Sequence, residues 1–173
     1  MPTRPSLSRR RFLAGATLAA AGLPLRAWAQ ETAPSAPVRF SAVRVDAGPL
    51  AARGGGMSAA MIQRVLPGKM KEIFADLLVP ASHQAPLLVA RIDTLYLSGY
   101  ADAISPGAAL QSLDSMDGAG LVVMGRQVQA STRLHVTLPA SYSGAYYLPD
   151  IDARRIDSLC TQFAYWLRRE MQL

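Results

Sequence analysis

Gly118-Ala-Gly-Leu-Val-Val-Met124, Gly125-Arg-Gln127 and Val128-Gln-Ala-Ser-Thr-Arg-Leu-His-Val-Thr-Leu138 are the stretches that decide the fold. Two runs suited to extended backbone flank a short glycine-bearing turn, the pattern of a β-hairpin. In the second run Leu134, Val136 and Leu138 alternate with Arg133 and His135, so the two sets lie on opposite faces. A sheet with one apolar face needs another layer to cover it. The segment from Pro149 onward offers that layer. Pro149-Asp150-Ile151-Asp152 opens a helix with acids near the positive end of its dipole. Ile156, Leu159, Cys160, Phe163, Leu167 and Met171 then form one uninterrupted apolar face. Arg154, Arg155, Arg168 and Arg169 are expected mostly on the other side.

Working outward, Val38–Val45 reads as a first strand ended by Gly48-Pro49, and Arg53-Gly-Gly-Gly56 as a flexible connector. Ile62, Val65, Leu66, Met70, Ile73, Phe74, Leu77 and Leu78 fall at steps of three and four, one face of a helix. Pro67 lies inside that stripe, so a kink or two abutting short helices are expected. Leu87–Leu97 is apolar enough for a central strand. Gly99–Leu113 and Ala140–Leu148 read as loops. The order is β-α-β-β-β-α: an α+β two-layer sandwich, a mostly antiparallel sheet of about four strands with two helices, over residues 38–173. This element order resembles small envelope domains, including some outer-membrane assembly and cell-wall-synthase accessory proteins. The segment also has the general look of exported proteins of unknown function.

The first residues read differently. Ser8-Arg9-Arg10-Arg11-Phe12-Leu13 is followed by an Ala- and Gly-rich apolar stretch to about Leu25. That stretch is short of the ~20 residues a spanning helix needs. Ala27 and Ala29 are small residues at −3 and −1 before Gln30, a signal-peptidase pattern. The hexapeptide resembles the twin-arginine export consensus, with Arg9 and Arg10 at the paired positions and Phe12 and Leu13 at the apolar ones. The resemblance implies a leader over residues 1–29 read by the twin-arginine translocase and removed before Gln30. It implies a periplasmic or otherwise exported product without a stable membrane anchor. Residues 30–37 are expected to be a disordered linker.

The leader also explains the charge. The chain carries +6, but five arginines and no acid lie in residues 1–29; beyond them 13 Lys and Arg face 12 Asp and Glu, a net of +1. A nucleic-acid role thereby loses its electrostatic support. With Cys160 the only cysteine, an intramolecular disulfide is impossible.

Catalytic and metal motifs do not rise above background. His83 and His135 are the only histidines, and no HxH, HxxxH or CxxC spacing occurs. Cys160 sits on an apolar helix face, as a core thiol would. Asp114-Ser-Met-Asp117-Gly118 lacks the alternating oxygens of a calcium loop and reads as a solvated turn before a strand. No catalytic residue, metal ligand or cofactor is therefore expected.

The binding candidates are Tyr142, Tyr146, Tyr147, Asp150, Asp152, Arg154 and Arg155. Three of the six tyrosines fall in this one short segment. Aromatic residues beside acids and arginines suit a partner surface, although tyrosines at a loop also serve as a plug for the core. The expected role is a non-catalytic accessory or binding domain of the cell envelope, meeting an envelope protein or a cell-wall component. The alternative is a small hydrolase with a site between loops 99–117 and 140–152, using convergent acids among Asp114, Asp117, Asp150 and Asp152. A cofactor carrier is suggested only by the export route. Replacing Arg9 and Arg10 together with lysine is expected to hold the chain at precursor length in the cytoplasm. Cell fractionation checks this, and a processed, exported double variant would refute it.

Overall fold

Residues 38–80, 82, 84–99, 112–145 and 147–172 are described by the computed structural model, and they fall within the unit Ala36–Leu173. The leader residues Arg9, Arg10, Phe12, Leu13, Ala27, Ala29 and Gln30, the 30–37 linker, His83 and Tyr146 lie outside the described residues. The hairpin is present and longer than its sequence signal. Strands β3 (Leu113–Met124) and β4 (Gln127–Pro139) pair antiparallel across a two-residue turn, Gly125-Arg126. Gly125 has φ +61° while Arg126 keeps a negative φ. Glycine at the first turn position supplies the twist that two right-twisted strands need.

Two further strands complete one sheet in the order β1-β2-β3-β4. Strand β2 (Leu87–Tyr96) is central, as its apolar run predicts, and pairs antiparallel with β3. Strand β1 (Ala42–Asp46) pairs parallel with β2. Parallel neighbours need a long crossover. Helix α1 (Gly48–Ala52) and helix α2 (Gly56–Ile73) supply it. Helix α3 (Ile151–Glu170) follows β4. The α+β class and β-α-β-β-β-α order hold, with α1 as one more short helix. Gly48-Pro49 ends β1 and also begins α1, because proline is suited to the first helical turn.

Helix α2 is one continuous helix through Pro67 and not two abutting short ones. The carbonyl that Pro67 leaves without a donor belongs to exposed Gln63, where water can take its place. Asp114–Asp117 is not a turn: β3 begins at Leu113, so these acids are strand residues on alternating faces.

The core forms where α2 and α3 cover one face of the sheet. Ile62, Leu66, Met70 and Phe74 from α2 meet Leu159, Phe163 and Leu167 from α3 and Leu88, Ile92 and Met116 from the strands, all fully buried. Phe40 packs edge-on to Phe74 at 6.3 Å, and its backbone bonds to Leu77 and Val79 tie the start of the domain to the segment that follows α2. Two glycines set the approach of α3. A Cβ on Gly118 would stand 2.3 Å from the Arg91 carbonyl oxygen and 3.1 Å from the Phe163 ring. One on Gly120 would stand 2.4 Å from a Leu167 methyl. Leucine and phenylalanine knobs thus occupy the room two absent side chains leave. Gly118→Ala is expected to lower stability by about 1–3 kcal/mol through overpacking against backbone. Gly68→Ala, in an open stretch of α2, is expected to raise it by about 0.5–1 kcal/mol. Urea unfolding of the two variants checks both signs.

Candidate functional site

The tyrosine-bearing segment joins β4 to α3. A 3-10 turn at Ala140–Ser143 leads to Gly144, whose φ of +110° suits glycine. The Ser143 hydroxyl donates to Ser158 Oγ at 3.0 Å, pinning the turn to α3. Tyr142 and Tyr147 remain 70% and 75% exposed, so neither plugs the core. Asp150 precedes α3 and bonds Arg154 one turn on, at 2.8 Å, on the exposed side. That arginine hydrogen bond is the leading reason the Asp150 carboxyl is held below its ordinary range.

Arg155 is placed elsewhere. It is buried, although the sequence reading set it on the solvent side with the other arginines. Its Nε donates to Asp114 Oδ2 at 2.7 Å, and its Nη2 donates to Asp114 Oδ1 and, at 2.9 Å, to the Ser98 carbonyl. Asp114, also buried, accepts from the Ser98 backbone N–H at 3.0 Å and from its hydroxyl at 3.1 Å. Asp152 approaches from outside, accepting from Arg155 Nη1 at 3.2 Å. The Asp114 hydrogen bond, more than any other contact, pushes the guanidinium pKa up. Burying an ion pair is unfavourable unless its remaining donors and acceptors are met, and Ser98 meets them here. Helical spacing carries the signal: Arg155 is four residues before Leu159 and eight before Phe163. Asp114 likewise shares the core side of β3 with Met116 and Gly118.

On the opposite face of the sheet lies a second cluster. The Asp117 carboxylate accepts from Thr94 Oγ1 at 2.5 Å and stands 2.5 Å from His135 Nδ1. A bulge between Ile92 and Thr94 puts Thr94 opposite Asp117. Partial burial works against the Asp117 charge, but the hydrogen bonds from Thr94 and His135 outweigh it and hold its pKa low. The carboxylate stands between hydroxyl and imidazole, so the imidazole is not placed to take the hydroxyl proton as it would be in a Ser-His-Asp relay. Sequence reading placed His135 on this face; Thr94 was missed because a bulge leaves no period to read.

The four acids of the hydrolase alternative do not share one site: Asp114 and Asp152 both bind Arg155, while Asp117 and Asp150 hold other partners. Asp114 is inside with Arg155, Asp117 is on the outer face, and Asp150 and Asp152 flank the start of α3. Cys160 is buried, and desolvation pushes its thiol pKa up to about 12, as expected of a core cysteine. Among the described residues no three His, Cys, Asp or Glu side chains gather as a metal site would require. Also among these residues, no helix is long and apolar enough to cross a membrane. In comparisons with known proteins, no family model, no curated protein and no solved structure matches the chain.

Removing one partner of a buried pair strands the other's charge. Arg155→Ala is expected to cost about 3–5 kcal/mol in urea unfolding. The Asp114→Leu, Arg155→Met pair is expected to lose markedly less than either member alone.

Proposed function

We propose that this chain is exported by the twin-arginine route and works in the cell envelope as a non-catalytic binding domain. Its contact surface is the segment carrying Tyr142, Tyr146 and Tyr147, with Asp150, Asp152 and Arg154 beside it, and its partner is an envelope protein. The observation that carries this reading is the exposure of Tyr142 and Tyr147 next to a firmly anchored base. Tyrosine offers large contact area at small conformational cost, and such residues are enriched in protein interfaces. Arg155 supports the reading from below: bonded to Asp114 and Ser98, it holds the first turn of α3 in place while Arg154 stays outside.

The export step rests on Arg9, Arg10, Phe12 and Leu13, and on Ala27 and Ala29 before Gln30. Together they favour passage through the twin-arginine translocase and cleavage into the envelope. A nearly neutral domain beyond the leader suits a protein partner better than nucleic acid.

Photocrosslinking in intact cells, with the reactive amino acid at Tyr142 or Tyr147, tests the surface. The expected result is one discrete adduct shared by both positions and missing when the probe replaces Met57, which is 89% exposed on α2. Equal adducts from all three positions, or none from the tyrosines, would overturn the reading.

A further inference from the structure

The outer face of the sheet carries a second feature, independent of the tyrosine segment. Arg91 on β2, Ala119 on β3 and Arg133 on β4 stand side by side in register. The two arginines are thus about 10 Å apart at the backbone, two strand spacings. Ala119 between them is 2% exposed, covered by its neighbours. A hollow of about 580 Å³ lies here, lined by Arg53, Arg91, Asp93, Asp117, Arg133 and His135 together with Gly118 and Leu134.

The charges in the hollow do not cancel. Three guanidiniums face two carboxylates, and both carboxylates are engaged. Asp93 accepts from Arg91 Nη2 at 3.3 Å, and Asp117 holds Thr94 and His135. Arg53 reaches in only to the Asp93 carbonyl, at 3.4 Å. Arg133 makes no ion pair or side-chain hydrogen bond among the described residues. Arg91 Nε is buried and, though 3.1 Å from Asp93 Oδ1, has no aligned acceptor among the described residues. A buried donor without an aligned acceptor carries a desolvation cost that a better-aligned acceptor would relieve.

We infer that this hollow binds a small oxyanion, a carboxylate or phosphate group, held between Arg91 and Arg133, with Arg53 beside them. A planar guanidinium presents two parallel N–H donors to such a group, and two facing guanidiniums grip it from both sides. The carboxylates at one end limit the ligand to a group that engages the arginine side and keeps its negative charge away from Asp93 and Asp117.

The test is calorimetric titration of the purified full chain, at low ionic strength, with inorganic phosphate and separately with citrate. Saturable, salt-sensitive binding of either anion supports the site, and the preferred anion identifies the head group. Arg133→Gln is expected to weaken binding about tenfold or more, as loss of a charge-assisted contact would. Arg169→Gln, which removes an equal charge stacked on Trp166 outside the hollow, should leave it unchanged. Thermal melts matching wild type confirm that both variants fold. Binding of neither anion, or equal weakening by the two variants, would overturn the inference.

Discussion

The buried ion pair between Arg155 and Asp114, completed by Ser98, is the interaction on which the architecture turns. It joins three places far apart in the chain: the end of β2, the start of β3 and the first turn of α3. Apolar contacts are tolerant of sliding, whereas a fork of donors on a carboxylate has one register. Once Arg155 is seated, α3 is committed along its length. Phe163 then reaches Gly118 and Leu167 reaches Gly120. At the far end of the helix, Arg168 takes Asp76 in a two-pronged contact at 2.8 Å on both arms and also bonds the Ile73 carbonyl. One arginine therefore sets the helix on the sheet and another ties it to the end of α2.

Much of this was legible in residue order. The alternation at Leu134, Val136 and Leu138 and the spacing from Ile156 to Leu167 mark the two layers, because both patterns report burial directly. The misreadings share a cause. Arg155 is a charged residue on an apolar stripe, and Asp114 is an acid in a strand that begins inside a polar stretch. Each makes sense only with the other, 41 positions away. Pattern reading sees local period and is blind to partners that satisfy each other across the fold. The bulge after Ile92 is similar: it re-aims Thr94 without changing composition.

β3 separates two chemistries with a single strand. Asp114 and Asp117 are three residues apart, and the pleat sends one into the core and the other to the outer face. The inner acid is locked in a structural pair, and the outer one keeps company with a histidine, a threonine and the arginine-walled hollow. The tyrosine segment lies between β4 and α3 and is pinned to α3 by the Ser143–Ser158 bond. The two proposed contact surfaces thus draw on different residues and can be lost separately.

The glycines of β3 have a consequence for how the chain is made. Every described strand precedes α3 in synthesis, so the sheet emerges with Gly118 and Gly120 bare and with Leu134 and Val136 lacking the cover that α3 supplies. A nascent chain stalled before residue 151 would carry the four described strands over an unsealed groove, an exposed apolar seam prone to association with other chains. Closure of that seam waits for α3, which follows β4 in the chain.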